Sequence, residues 1–173
     1  MQPILSYFWQ ICLLRTGPEK IPASATITGM LLVIYLTTAF ISIAITRPNL
    51  AMIQAIAAVF IGFIIEAAII YGLLVLKSVG GRFLSTISAV LGSNSILLII
   101  LLPIQLLANN LNTGIVSSFI SALLFVCFLW WITIVGFILH RVANVSVLQG
   151  IVIALMIEFL FLIASATLFP IAG

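Results

Sequence analysis

The chain has 173 residues, of which 65% are hydrophobic and 5% are charged, and its formal net charge is +3. A soluble domain carries about 25% charged residues, so this composition excludes a water-soluble protein and predicts an all-α integral membrane protein in a lipid bilayer. Six basic residues are too few for a phosphate-binding face, and we expect no nucleic acid among its partners.

The first 23 residues form a separate segment. Gln2, Ser6 and Gln10 recur at every fourth position in an otherwise apolar stretch, which predicts a short amphipathic helix lying in the membrane interface. Gly17 followed by Pro18 is expected to end it. The alternative is that the segment only leads the chain into the membrane. We assign residues 1–23 to this helix and its connector, and residues 24–173 to one transmembrane domain.

Five apolar runs predict five membrane-spanning helices, over residues 24–46, 50–76, 84–108, 114–139 and 147–169. The connections between them are short, so consecutive helices must run antiparallel in a single bundle. With the N-terminus in the cytoplasm, Arg47 is the one basic residue outside, and five lie inside: Arg15, Lys20, Lys77, Arg82 and Arg141. The C-terminus then lies outside.

Two of the three acidic residues interrupt apolar runs near the middle of a span. A charge at the bilayer centre costs about 2.5–3.5 kcal/mol on insertion scales, so Glu66 and Glu158 need a structural or functional reason. Asn94 lies at a similar depth, and we predict an intramembrane polar cluster of these three residues, with Tyr35 and Cys127 at the same level. Two carboxyl groups in one dry layer would not both ionise, so we expect at least one to be protonated and to donate to the other, sharing its proton, or to Asn94. The cluster is then a clasp that fixes helix register, a proton or solute pathway, or a contact to a partner subunit or lipid.

Small residues precede Glu66 at helical spacing. Together they are expected to form one face that lets a neighbouring helix approach closely and turns Glu66 into the bundle. This predicted helix-packing stripe consists of Ala51, Ala55, Ala58 and Gly62.

The chain contains no His-Glu-x-x-His, no Gly-x-Ser-x-Gly and no P-loop. Its single histidine excludes a metal site built from several histidines. We therefore expect no catalytic residue, no metal and no cofactor, and we predict that the protein is not an enzyme.

The loop and span pattern of residues 30–169 resembles the Yip1 family of five-span membrane proteins. The likeness starts in a Gly-Gly-basic loop, predicted to be cytoplasmic, that contains Lys77, Gly80, Gly81 and Arg82. It continues through Ala89-Val90-Leu91-Gly92-Ser93, Pro103 and the span that ends at His140-Arg141. The resemblance implies five spans; eukaryotic members act in vesicle traffic with small GTPases. The long soluble N-terminal region of those members is not in this sequence, so we do not expect a role in GTPase binding. The opening from Leu13 to Pro22 looks more like a small bacterial inner-membrane protein, which is the type that we favour.

Two functions follow from these patterns. Small-residue faces, short loops and no catalytic motif favour a non-enzymatic scaffold or accessory subunit, associated with other membrane subunits or with copies of itself. The alternative is a small transporter or channel that uses Glu66 and Glu158 for proton or solute passage.

Overall fold

The computed structural model describes residues 4–110 and 114–168, and all regular structure in these ranges is helical. A short helix, α1 (Ile4–Cys12), precedes five long helices: α2 (Ala25–Thr46), α3 (Met52–Leu76), α4 (Phe83–Asn110), α5 (Gly114–Ala143) and α6 (Val147–Leu168). Each long helix is long and apolar enough to cross a membrane. The prediction of an all-α integral membrane protein with five spans is therefore confirmed. Residue 169, the predicted end of the last span, lies outside the described residues.

Consecutive helices alternate in direction, so the segments near the starts of α2, α4 and α6 share one end of the bundle. Five basic residues lie at or beside this end, which we call the basic end: Arg15, Lys20, Lys77, Arg82 and Arg141. Arg47 follows α2 at the opposite end, which we call the far end. Placing the basic end in the cytoplasm stays a prediction from the positive-inside rule.

Around the bundle the helices follow the order α2, α4, α5, α6 and α3, and α3 packs against α2 to complete the ring. The α4 helix is the most enclosed, with α1, α2, α3 and α5 all packed against it. The remaining surfaces of the long helices are covered with exposed apolar side chains such as Ile53, Phe119 and Phe159. Such surfaces suit contact with lipid chains rather than water.

The two halves of the bundle are packed differently. On α4, every residue from Thr86 to Ser95 is buried, whereas none of those described after Leu97 is. In the basic half, α3 also packs against α4 and α5, and the fully buried side chains include Ile70, Leu74, Leu91, Ile134 and Ile138. The interior is therefore filled with apolar side chains near the basic end and is more open toward the far end.

Two glycines bring α5 and α6 into close contact within the basic half. A Cβ atom on Gly136 would lie 2.8 Å from the backbone nitrogen of Ile151, and a Cβ on Gly150 would overlap the carbonyl oxygen of Gly136. Small residues at such crossings let membrane helices pack backbone against backbone. This contact fixes where α5 and α6 cross.

The predicted N-terminal helix is present, and its apolar side packs on protein. Phe8, Ile11 and Cys12 are buried, and the Phe8 ring lies where a Cβ on Gly92 of α4 would be. The indole Nε1 of Trp130 on α5 donates a hydrogen bond to the carbonyl oxygen of Cys12 at 2.8 Å. A polar stripe in an apolar helix marks its outer side, but it does not reveal whether lipid or protein covers the rest. Gln2 lies outside the described residues.

The end of α1 differs from the prediction. Leu14 adopts a left-handed conformation with φ 59°, and the Arg15 N–H donates to the Gln10 carbonyl oxygen at 2.9 Å. This six-residue backbone bond is typical of a Schellman cap. Gly17 instead has an extended backbone with φ −94°, so it does not provide the left-handed residue. The predicted cap was therefore placed three residues too late along the chain.

We expect Gly150→Ala to destabilise the protein by about 1–3 kcal/mol, because the added methyl group meets backbone that has no room to move away. Thermal unfolding in a mild detergent measures the loss. Gly72→Ala is the matched control: a Cβ on this helical glycine meets nothing within 4 Å, so its stability should be unchanged or slightly raised. Equal melting temperatures for the two variants would contradict the close α5–α6 crossing.

Burial raises the pKa of the Cys12 thiol from its ordinary value of 9.0 to about 11. Below both values this shift lowers the reactive thiolate fraction about a hundredfold. In a Cys127→Ala background we therefore expect a maleimide at about pH 8 to label Cys12 about a hundredfold more slowly than a free peptide thiol. Adding Trp130→Phe removes the indole donor to Cys12 and should speed labelling. Labelling of the parent at the free-thiol rate would contradict a docked α1.

Candidate functional site: a cavity between the five spans

A cavity of about 330 Å³ lies between the long helices, from the middle of the bundle toward the far end. All of α2 to α6 contribute to its wall, which is mostly apolar. The polar residues in the wall include Tyr35, Ser42, Glu66, Asn94, Gln105 and Glu158. The cavity occupies the part of the bundle that the apolar core leaves unfilled.

Glu66 lies in the cavity wall with only 3% of its surface exposed. The Asn94 Nδ2 atom donates to its carboxyl group, at 3.1 Å from Oε1 and 3.4 Å from Oε2. The indole Nε1 of Trp131 donates to Asn94 Oδ1 at 2.9 Å. An indole can only donate, so its bond fixes the amide oxygen of Asn94 toward α5 and the amide nitrogen toward Glu66. Three spans, α3, α4 and α5, are thereby joined through one side-chain amide.

Glu158 lies in the same cavity wall on α6, partly exposed, and hydrogen-bonds to none of the residues that the structure describes. In the described part of the chain, no hydrogen bond joins it to Glu66, so the expected shared proton is not seen. The helices α3 and α6 approach through Gly62 and the Phe161 ring, where a Cβ on Gly62 would lie 3.1 Å from Phe161 Cε2. This contact lies about one helical turn from each carboxyl group.

The third acidic residue, Glu19, has an ion-pair partner, which the other two lack among the described residues. Glu19, near the basic end, forms an ion pair with Arg141, with 3.0 Å between Oε1 and the arginine Nε. Neither Glu66 nor Glu158 forms an ion pair with any described residue. The two carboxyl groups in the cavity therefore have no positive partner within the described chain.

The predicted small-residue stripe packs within the chain. Ala55 and Ala58 are buried, at 3% and 2% exposure, and Gly62 contacts the Phe161 ring. Ala51 is exposed at the start of α3, so the packed part of the stripe runs from Ala55 onward. This face leads directly to Glu66, as expected from the spacing.

The predicted basic loop lies far from the cavity. Lys77 follows the end of α3, and Gly80–Arg82 form a short 3-10 turn before α4. Arg82 contacts the end of α5 through a long hydrogen bond of 3.5 Å to the carbonyl oxygen of Val142. Gly81 is exposed, and none of the loop residues lines the cavity.

Polar contacts also join the helices toward the far end. Ser42 donates to Gln105 Oε1 at 2.9 Å, which links α2 to α4 beside the cavity. Arg47 Nη1 donates to Ser165 Oγ at 3.0 Å, which links the end of α2 to α6. Because α2 and α6 are not neighbours in the ring, this bond crosses its far end. The sequence placed Gln105 on the same face as Asn94, but nothing in it indicated the Arg47 contact.

Trp131 is the functional candidate that sequence reasoning missed. Its indole holds the amide of Asn94, and the residue also lines the cavity. The available signal was an indole donor at the same depth as the predicted polar cluster, where a buried N–H requires an acceptor. Tyr35 and Cys127, expected at that depth, also line the cavity.

Comparisons of the chain with family models, with curated proteins and with solved structures find no match. The resemblance to the Yip1 family therefore stays a prediction, and the candidate site depends on its own geometry.

We expect Asn94→Ala to be destabilising, because it leaves the Glu66 carboxyl group and the Trp131 indole without their partner. A double-mutant cycle with Trp131→Phe should give a coupling energy of about 0.6–1.7 kcal/mol, the range typical of hydrogen bonds between membrane helices. Thermal or denaturant unfolding of the four proteins measures it. Strictly additive effects would contradict the indole–amide bond.

Proposed function

We propose that the protein is a small transporter that binds a solute in the cavity between its spans and uses Glu66 and Glu158 to carry it, or a proton, through the membrane. The supporting observation is that both mid-span carboxyl groups lie in the wall of one cavity, with no ion-pair partner in the described chain. Ionisable groups within spans commonly mark ion or solute pathways.

The packing favours a carrier over an open channel. The cavity lies in the far half of the bundle, and the basic half below it is filled by apolar side chains such as Ile70, Leu91 and Ile138. A solute that enters from the far side would therefore stop near Glu66. Its passage requires the helices of the basic half to move apart.

The other predicted role, a scaffold or accessory subunit, depended on small-residue helix faces. Ala55, Ala58 and Gly62 pack within the chain, and Gly136 and Gly150 pack against each other. These faces no longer require a partner subunit to cover them. The bacterial inner membrane remains our proposed location, on the resemblance of the segment from Leu13 to Pro22 to small bacterial inner-membrane proteins, and the distribution of basic residues supports a cytoplasmic basic end.

Purified protein in liposomes should carry protons or a solute driven by a proton gradient, measured with a pH-sensitive dye inside the vesicles. Glu66→Gln keeps an acceptor for Asn94 but cannot exchange a proton, so we expect the flux to fall about tenfold or more, with Glu158→Gln also impaired. Glu19→Gln is the matched control, since its exposed ion pair contributes little and lies outside the cavity.

Flux that is the same in the wild type, Glu66→Gln and empty liposomes would overturn the transport proposal. Native mass spectrometry of the mildly purified protein tests the scaffold role, because it detects a subunit that stays bound. A stoichiometric second subunit, together with the absence of flux, would support the scaffold role instead.

A further inference from the structure

The cavity lacks a positive charge. It contains two carboxyl groups, and no basic side chain is among the described residues that line it. A carboxylate held away from water needs a compensating cation or a proton. The exposed Glu19 has Arg141 beside it, but no basic residue of the described chain lies beside the two carboxyl groups of the cavity. Arg47, at the far end, donates to the Ser165 hydroxyl instead of to an acid. The missing charge therefore has to come from outside the chain.

Four aromatic residues lie in the wall with these carboxyl groups. Tyr35, Phe128, Trp131 and Phe161 all line the cavity. Phe128 and Trp131 are stacked, with ring centroids 6.2 Å apart and an angle of 18° between their planes. The faces of aromatic rings attract organic cations that come within about 6 Å of the ring centre. Carboxyl groups and aromatic rings together favour a cation that also has apolar substituents.

An inorganic cation fits this wall less well. Hard cations take several oxygen ligands, about six to eight for Ca²⁺, and the described residues contain no group of three or more acidic, histidine or cysteine side chains that could hold a metal. The remaining wall is aliphatic, including Leu97, Leu98 and Leu101. A volume of about 330 Å³ lies at the lower end of the range for small-molecule pockets, which suits a small organic ligand.

We propose that the solute bound in this cavity is a lipophilic organic cation, such as a substituted ammonium ion, held by Glu158 and the aromatic wall. This rests on the proposed transport function and names its substrate class. Glu158 is the residue expected to contact the charge, because it has no hydrogen-bond partner among the described residues, whereas Glu66 is already bonded to Asn94.

The test compares two ligands of the same shape that differ in charge. Phenyltrimethylammonium is a cation, and tert-butylbenzene replaces its nitrogen with carbon. Titration calorimetry on the purified full chain in detergent should show the cation binding about tenfold or more tighter, since an ion pair and cation–π contacts add to the same apolar burial. Glu158→Gln should lower the affinity for the cation about tenfold and leave that for tert-butylbenzene unchanged.

Two controls test whether the ligands bind in the cavity. Glu19→Gln, whose carboxyl group lies near the basic end, should bind both ligands like the wild type. In a Cys12→Ala background, phenyltrimethylammonium should slow the labelling of Cys127, which lies in the cavity wall, by a small maleimide. Glu158→Gln removes no hydrogen bond among the described residues, so we expect this variant to fold.

The outcomes separate this inference from the proposed function. Equal affinity for both ligands, or an unchanged cation affinity in Glu158→Gln, would overturn the organic-cation proposal while leaving a solute-binding cavity. Binding of neither ligand, with proton flux that still depends on Glu66, would overturn this proposal and leave transport standing. Binding of neither ligand and no flux would overturn both.

Discussion

The side-chain amide of Asn94 is the contact on which the middle of the bundle depends. It accepts from Trp131 on α5 and donates to Glu66 on α3, so one residue of α4 satisfies two buried polar groups from different helices. In lipid, a polar group without a partner is costly, and a fully satisfied one fixes the register of the helices that carry it. The level at which three spans meet is therefore set here, and the cavity extends from this level toward the far end.

The contrast between the two halves of the bundle follows from residue size and polarity. Close to the basic end, paired glycines at positions 136 and 150 draw α5 and α6 together, and branched apolar side chains fill the interior. Beyond Leu97, α4 has no fully buried residue among those described, and the spans are linked by separate polar bonds such as that between Ser42 and Gln105. The cavity therefore lies in the half of the bundle where the helices are joined by separate polar bonds, and the closely packed half closes it toward the basic end.

Much of the fold could be predicted from the sequence, because a chain that crosses lipid must satisfy its backbone hydrogen bonds internally and so has few possible structures. Runs of apolar residues give the spans, and the spacing from Ala55 to Glu66 gives the face that turns inward. The cavity could not be predicted in this way, since its volume depends on how five helices tilt and pack together. Trp131 was missed because a tryptophan packs well with or without a hydrogen bond. The contact of α1 with α4 and α5 could not be predicted because protein and lipid offer equally apolar surfaces, and its place in the membrane interface stays a prediction. Nor could the sequence predict that no hydrogen bond joins Glu66 to Glu158 in the described part of the chain, because this depends on how α3 and α6 pack through Gly62 and Phe161.

The docking of α1 also has a consequence for the order in which the protein is made. This helix is synthesised before the spans that it packs on, since Gly92, which accommodates Phe8, and Trp130, which bonds to Cys12, belong to the third and fourth spans. Its binding site is therefore complete only after most of the chain has been inserted. Until then the apolar side of α1 has lipid as its available partner, so α1 exchanges lipid contacts for protein contacts as the later spans arrive.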